Sequence, residues 1–213
     1  MSLFAAVVVS VGHTARADHA GVQCEGVNVT SHAYAGGPGS DVINGTDAAF
    51  EVFNGLGGND TIRGGGGVDY ICGGDGADDL RGEAGDDSVF GGSGDDELYL
   101  GAGPGGTEVG EGENGADTVF AGDDADGVHG GCRDMDPCSS DAKDIILEEQ
   151  GAHAIWGDEG DDSLGGGYGT NDSLLGETGV DFLDGGPGTN DQCDSGPPPG
   201  DGDDSVGCEV GPG

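Results

Sequence analysis

The sequence predicts an all-β fold in which short strands stack into a repeat solenoid. A nine-residue phrase recurs without a gap from Gly55 to Tyr99, as GLGGNDTIR, GGGGVDYIC, GGDGADDLR, GEAGDDSVF and GGSGDDELY. Most phrases carry glycine at the first, second and fourth places, Asp at the sixth and an aliphatic residue at the eighth. Helical periodicity is absent from residues 36–194, so the repeat itself sets the fold.

Each phrase predicts a turn followed by a strand of three residues. Glycine admits backbone angles that are closed to other residues, which suits the turn. Successive side chains of a strand point to opposite faces, so the apolar eighth place is the inward one. The expected inward column is Ile43, Val52, Ile62, Ile71, Leu80, Val89, Leu98, Val119, Val128, Ile146, Ile155, Leu164, Leu174 and Leu183. The outward ninth place carries Phe53, Phe90, Tyr99, Phe120 and Trp156.

The first 35 residues do not follow the repeat. The apolar run Leu3–Val11 followed by Ala15-Arg16-Ala17 is typical of a secretory signal peptide, although its basic leading region is missing. A buried first strand is the alternative for this segment. We therefore expect a signal peptide at 1–17 and an N-terminal cap at 18–35.

The rest of the chain divides by the quality of the repeat. We expect a first block at 36–99, a glycine-rich connector at 100–111, a second block at 112–194 and a C-terminal cap at 195–213. In the second block the nine-residue phase survives the segment Cys132–Cys138. This predicts that the cysteine segment replaces one unit of the solenoid.

The charge of the chain limits its partners. It carries 43 acidic and 5 basic residues, a formal net charge of -38, with only 33% hydrophobic residues. Nucleic acids and anionic membranes are excluded as partners because both require basic surfaces. The apolar run Leu3–Val11 is also too short to cross a bilayer, so no membrane insertion is expected. Such a composition is typical of disorder unless a cation neutralises the acids.

The nonapeptide resembles the RTX (repeats-in-toxin, hemolysin-type) calcium-binding repeat, whose form is G-G-x-G-x-D-x-U-x. The resemblance implies a right-handed parallel β-roll, a β-solenoid in which two units make one turn. It also implies several Ca²⁺ ions, held between the Asp of one turn and the Asp 18 residues later, with backbone carbonyls completing the shell. The implied metal ligands are Asp41, Asp60, Asp69, Asp78, Asp87, Asp96, Asp117, Asp126, Asp144, Asp162, Asp172, Asp181 and Asp191.

The spacing assigns these ligands to two edges. In the first block one edge holds Asp41, Asp60, Asp78 and Asp96, and the other holds Asp69 and Asp87, preceded by Phe50 as a degenerate position. In the second block one edge is expected to hold Asp126, Asp144, Asp162 and Asp181. The opposite edge is expected to be interrupted, as Asp117, Met135, His153, Asp172 and Asp191. The densest metal row is therefore expected in the first block, and Asp144 is a weak candidate because its unit SSDAKDIIL lacks glycine.

Six cysteines behind a signal-like segment indicate disulfides. Six cysteines allow about 15 connectivities. Local spacing favours Cys132–Cys138 and Cys193–Cys208, which leaves Cys24–Cys72. A zinc site is the alternative, but the sequence contains no Cys-x-x-Cys pair to support it.

No catalytic motif accompanies the repeats. The sequence lacks His-Glu-x-x-His and Gly-x-Ser-x-Gly, so a protein that is not an enzyme is expected. The pattern favours a secreted bacterial calcium-binding protein that acts as a structural or adhesive surface component or as a calcium sequestrant. The alternatives are a secretion and stability module of a larger hydrolase or toxin, and a subunit of an extracellular filament. The outward aromatic residues suggest self-association or a cell-surface partner, or else they are covered by the N-terminal segment.

Overall fold

A computed structural model describes residues 33–101, 108–123, 126–131, 142–196 and 204–208 of the chain. Within these ranges the secondary structure consists of short strands, and no helix is present. In particular, no helix of the described residues has the length and apolar character needed to cross a membrane. The predicted all-β class is confirmed.

The strands form two parallel sheets of nine strands each, and consecutive strands alternate between the sheets. The odd sheet contains β1 Ala33–Ala35, β3 Phe50–Gly57, β5 Val68–Asp75, β7 Ser88–Ser93, β9 Val109–Asn114, β11 Gly127–His129, β13 Ala154–Trp156, β15 Ser173–Leu175 and β17 Gln192–Asp194. The even sheet contains β2 Val42–Asn44, β4 Thr61–Gly66, β6 Asp79–Ala84, β8 Glu97–Tyr99, β10 Thr118–Phe120, β12 Ile145–Leu147, β14 Ser163–Gly165, β16 Phe182–Asp184 and β18 Asp204–Val206. Two units therefore make one turn, as expected for a parallel β-solenoid.

A single column of side chains from each sheet fills the core. Most members of the predicted inward column are fully buried and pack together. The unit at 45–54 is the exception because it has ten residues. Its register pairs Phe53 with Ile71 and Val52 with Tyr70, so the inward residue is Phe53. The prediction that Val52 points inward and Phe53 outward was wrong.

The two sheets continue through the predicted connector. Strand β9 pairs with β7 on one side and with β11 on the other, and Gly110 takes the place of an inward aliphatic residue. The side chain of Leu100 fills this vacancy, since a Cβ on Gly110 would lie 2.9 Å from Leu100 Cδ2. The strands of both predicted blocks thus belong to the same pair of sheets, while the block boundaries stay a prediction.

The cysteine segment does not replace a unit. Strand β10 pairs directly with β12, and Val119 lies opposite Ile146, a separation of 27 residues instead of 18. A Cβ on Gly130 would lie 2.6 Å from Asp144 Oδ2, which is the contact expected within one unit. That unit reads Gly130-Gly131, then residues 132–140, then DAKDIIL. The expectation of a replaced unit was wrong because nine extra residues preserve the phase of the sequence without adding a strand to either ladder.

One predicted disulfide lies within the described residues. Cys193 of β17 is bonded to Cys208, which follows β18, and their Cα atoms are 5.8 Å apart. This bond links the last strands of the two sheets. Cys72 is also disulfide-bonded. The pairings Cys24–Cys72 and Cys132–Cys138 stay predictions, because Cys24, Cys132 and Cys138 lie outside the described residues.

Candidate metal centres

Two rows of residues, all acidic except His153, follow the edges of the solenoid, one residue per turn, each at or next to the start of a strand. The first row enters the even sheet and contains Asp41, Asp60, Asp78, Asp96, Asp117, Asp144, Asp162 and Asp181. The second row enters the odd sheet and contains Glu51, Asp69, Asp87, Glu108, Asp126, His153, Asp172 and Asp191. Except for Asp41, which is half-buried, all of these residues are buried.

One carboxylate oxygen of most row Asp residues links adjacent turns. The N–H of Asp60 donates to Oδ1 of Asp78 at 2.7 Å, and the N–H of Asp78 donates to Oδ1 of Asp96 at 2.8 Å. In the second row the N–H of Asp69 donates to Oδ1 of Asp87 at 2.9 Å. These hydrogen bonds hold the carboxylates of successive turns in register.

The second carboxylate oxygen of several of these residues has no such partner. Buried Oδ2 atoms without a hydrogen-bond partner belong to Asp60, Asp69, Asp78, Asp87, Asp96 and Asp126. A buried polar atom without a partner is costly, and a buried charge is retained only when it is paired or binds a metal. Rows of oxygen atoms of this kind fit a hard divalent cation, whose preferred ligands are carboxylate and carbonyl oxygens.

Burial and mutual repulsion raise the pKa values of several row carboxylates. Desolvation is the largest cause in each case; it raises the pKa of Asp69 to about 7, with a further contribution from the charge of Asp87. It raises the pKa of Asp96 to about 8, and the charge of Asp117 adds to the effect. The pKa of Asp87 rises to about 6. The rows are therefore unfavourable places for negative charge unless a cation is present.

The first glycine of each unit makes room for the row. A Cβ on Gly91 would lie 2.5 Å from Asp96 Oδ2 and 2.6 Å from the carbonyl oxygen of Gly112 in the next turn. A Cβ on Gly73 would likewise collide with Asp78 Oδ2 and the carbonyl oxygen of Gly91. This glycine is thus required by the close approach of the Asp side chain and of the next turn.

In the first block the structure brings the predicted residues together as expected. Asp41, Asp60, Asp78 and Asp96 lie in one row, and Asp69 and Asp87 in the other. The predecessor of Asp69 is Glu51 and not Phe50, because the ten-residue unit shifts the register by one. Glu51 is fully buried and accepts hydrogen bonds from the Tyr34 hydroxyl at 2.9 Å and the Thr46 N–H at 2.8 Å.

In the second block the predicted edges were wrong. The N–H of Asp117 donates to Oδ1 of Asp144 at 2.7 Å, so Asp144, Asp162 and Asp181 continue the Asp117 row. Asp126 is followed instead by His153, Asp172 and Asp191. The cause is the nine-residue insertion, which exchanges the two edges for all later units. Met135, expected in the interrupted edge, lies outside the described residues.

Sequence reasoning also underrated or missed several row residues. Asp144 was a weak candidate, yet it is fully buried and its glycine is Gly130, on the far side of the insertion. Glu108 was missed; it is fully buried, and its N–H donates to Oδ1 of Asp126 at 3.1 Å. The sequence did contain a signal for this longer turn. Asp96 and Asp117 are 21 residues apart, three more than the 18 residues of a regular turn.

The comparisons with known proteins agree with this geometry. The family model of the RTX calcium-binding nonapeptide repeat matches four times, at residues 35–71, 46–80, 73–104 and 105–131. No curated protein matches the chain. Beyond residue 131 the same two ladders and the same two rows continue. Residues 35–131 are therefore RTX calcium-binding nonapeptide repeats, the stretch that the family model identifies.

Proposed function

We propose that this protein is secreted from a bacterium, folds only when it binds Ca²⁺, and acts outside the cell as a structural or adhesive component or as a calcium sequestrant. The observation that carries the proposal is the set of buried Oδ2 atoms without hydrogen-bond partners along the two rows. RTX nonapeptide repeats bind calcium, and these oxygens are the ligands that such ions require. The proposed ligands are the thirteen Asp residues of the sequence pattern, together with Glu51 and Glu108.

Electrostatics explains why folding would depend on the metal. Neighbouring turns of a parallel sheet lie about 4.8 Å apart. Two carboxylates at about 5 Å repel by on the order of 3 kcal/mol at an effective dielectric constant of 20. Several such pairs exceed the whole stability of a typical domain, about 5–15 kcal/mol. A bound divalent cation converts this repulsion into attraction, so metal binding and folding become a single event.

The same coupling supports an extracellular role. Extracellular calcium modules bind at about 10⁻⁴–10⁻³ M, far above the calcium levels to which intracellular sensors respond. A chain of this kind stays loose during synthesis and folds after export. The signal-like residues 1–17 are consistent with that route.

A calcium titration followed by circular dichroism tests the proposal. The full chain, stripped with EGTA, is expected to lack cooperative melting and to gain β-structure as Ca²⁺ reaches about 10⁻⁴–10⁻³ M. Mg²⁺ at the same concentration is expected to be much less effective, because it dehydrates reluctantly and demands octahedral geometry. Stripped protein that keeps a cooperative melting transition at neutral pH would refute calcium-dependent folding.

A further inference from the structure

One unit carries a carboxylate in place of its first glycine and an imidazole in place of its row Asp. In EEQGAHAIW, Glu148 stands where a unit normally has its first glycine, and His153 stands where it normally has Asp. In an ordinary unit that glycine is bare because the Asp carboxylate occupies the space above it, as Asp78 does over Gly73. Here a second carboxylate and an imidazole share this space, so the two exceptions belong to one arrangement.

His153 lies in the second row and is hydrogen-bonded to both neighbouring turns. The N–H of Asp126 donates to Nδ1 of His153 at 3.3 Å, and the N–H of His153 donates to Oδ1 of Asp172 at 3.0 Å. The ring therefore occupies the position of a row carboxylate. It is not a surface histidine, since its side chain is 0% exposed.

The three side chains converge on one point. His153 Nδ1 contacts Glu148 Oε2 and lies 3.8 Å from Asp126 Oδ2. One ligand atom from each residue lies within 4.8 Å of the others, and all three residues are buried. His153 Nε2, Glu148 Oε1 and Asp126 Oδ2 are buried without a hydrogen-bond partner.

A protonated His153 is the simplest alternative to a metal. The imidazolium would neutralise only one of the two carboxylates, so one buried negative charge would remain uncompensated. A buried charge without a partner is costly. A divalent ion bound by a neutral imidazole and two carboxylates leaves no net charge on the cluster.

We propose that Asp126, Glu148 and His153 form a binding site for Zn²⁺, set within the second row but different in chemistry from the oxygen-only positions around it. Imidazole suits zinc and other first-row transition metals, whereas calcium selects oxygen ligands alone. One histidine and two carboxylates supply three protein ligands, the number found in zinc sites that keep an open position. The β-roll would then carry two classes of metal site, one for Ca²⁺ and one for Zn²⁺.

The test compares zinc binding in variants of the full chain held in saturating Ca²⁺. The variants are His153→Asp and the double change Glu148→Gly with His153→Asp, which restores the ordinary repeat. The control is His129→Gln, which removes another histidine beside a carboxylate, Asp158, at 3.0 Å. ZnCl₂ is titrated by calorimetry, and bound zinc is counted by elemental analysis. We expect the first two variants to lose one equivalent of zinc and the control to lose none.

Equal zinc binding in the wild type and both His153 variants would overturn the inference and favour the protonated histidine. Glu148→Gln provides a second variant of nearly the same shape in case Asp is not tolerated at residue 153. Loss of a second-shell partner already weakens metal binding by about 10- to 100-fold, so loss of this ligand should weaken it by at least about 100-fold. Unchanged affinity in this variant would also count against the site.

The zinc result and the calcium result are read separately. Circular dichroism follows calcium-dependent folding in the same samples. If the wild type folds with Ca²⁺ but shows no zinc difference, the zinc site alone is refuted. If the wild type keeps its fold without Ca²⁺, the proposed function is refuted whatever the zinc titration shows.

Discussion

At the scale of the residue, a row Asp such as Asp87 has two tasks that fall on different atoms. Its Oδ1 accepts the N–H of Asp69 in the previous turn at 2.9 Å, while its Oδ2 stays buried without a hydrogen-bond partner. The first oxygen fixes geometry, and an amide oxygen is able to replace it. The second oxygen carries negative charge that a nearby cation must balance, whereas an uncharged amide in its place needs no cation. Substitutions that separate shape from charge therefore test the role of the row.

Asp87→Asn should raise the calcium concentration needed for folding, while the adjacent Asp86→Asn should not. Asp87 is 1% exposed, whereas Asp86 is exposed. A hydrogen bond to a charged group contributes about 1.5–3 kcal/mol to stability, and we take the same range for a bound cation. A loss of that size shifts the calcium midpoint by about 10- to 100-fold. A surface charge has a far smaller effect, so Asp86→Asn should shift it by less than about twofold. Equal midpoints in calcium titrations of the two variants would contradict the assignment of Asp87 as a ligand.

Gly73→Ala should prevent ordinary folding even in saturating calcium. The new methyl group would collide with the Asp78 carboxylate and with the backbone of the next turn, which cannot move away without breaking the ladder. Gly127→Ala is the matched control, because a Cβ there meets nothing within 4 Å. A compatible glycine-to-alanine change stabilises by about 0.4–1 kcal/mol. Thermal melting in Ca²⁺ measures both, and a Gly73→Ala protein that melts like the wild type would show that the first glycine is not required.

The raised pKa values predict how the metal-free chain responds to pH. The folded pKa values of Asp69 and Asp96 are about 7 and about 8, against about 3.9 for an unfolded Asp. The folded state therefore binds more protons than the unfolded state, so this stabilisation is present in acid and is lost as pH rises through the folded values. Protein freed of calcium on a chelating resin should keep residual β-structure near pH 5 and lose it by about pH 8. Circular dichroism that increases with pH in the metal-free protein would contradict this sign.

At the scale of the element, the sequence predicts a strand well wherever the unit length is constant. From Gly55 to Tyr99 every unit has nine residues, and both rows lie where the count places them. The predictions failed at three places where a unit changed length. One residue is added before Phe53, three between Asp96 and Asp117, and nine between Gly131 and Asp141.

Counting residues does not predict the strand register at these three places, because side-chain packing decides it. The Phe53 ring enters the core over Gly45, where a Cβ would lie 2.6 Å from its Cζ, and this decides which of two neighbouring apolar residues turns inward. The nine-residue insertion equals one repeat, so it leaves the count unchanged while exchanging the two edges. Only the ladder, which places Val119 opposite Ile146, distinguishes an inserted loop from a degenerate unit.

Deleting residues 132–140 should therefore preserve the β-roll. The deletion joins Gly131 to Asp141 and creates the regular unit GGDAKDIIL, without removing any strand of the described ladders. The equal-length control deletes 142–150, which removes β12 and the fully buried Ile146 and Asp144. Calorimetric melting in Ca²⁺ should show a midpoint near that of the wild type for the first deletion and a clearly lower one for the second. A first deletion that fails to fold would restore the interpretation of residues 132–140 as a structural unit.

At the scale of the whole molecule, the balance is between a formal charge of -38 and a very narrow core. Each turn adds about one aliphatic side chain from each sheet to the core, together with one member of each acidic row. Apolar burial and charge repulsion therefore grow together as turns are added. Lengthening the solenoid does not make it independent of cations, because every added turn adds its own need for one.

This balance predicts a large, ion-specific change in size that small-angle scattering measures. An unfolded chain of 213 residues has a radius of gyration of about 50 Å, and a compact one about 17 Å. Nine parallel strands at about 4.8 Å place the first and last strands about 38 Å apart, so the folded roll should reach about 17–20 Å. Calcium in the millimolar range should drive this collapse.

Sodium chloride at the same or higher ionic strength should contract the chain only partly. The Debye length is about 10 Å at 0.1 M salt, twice the separation of about 5 Å between carboxylates of successive turns, and a buried row is screened even less. Monovalent salt therefore weakens the long-range repulsion of the unfolded chain but leaves the close pairs in the rows uncompensated. If NaCl alone reached the radius found in calcium, general screening and not bound ions in the two rows would account for folding.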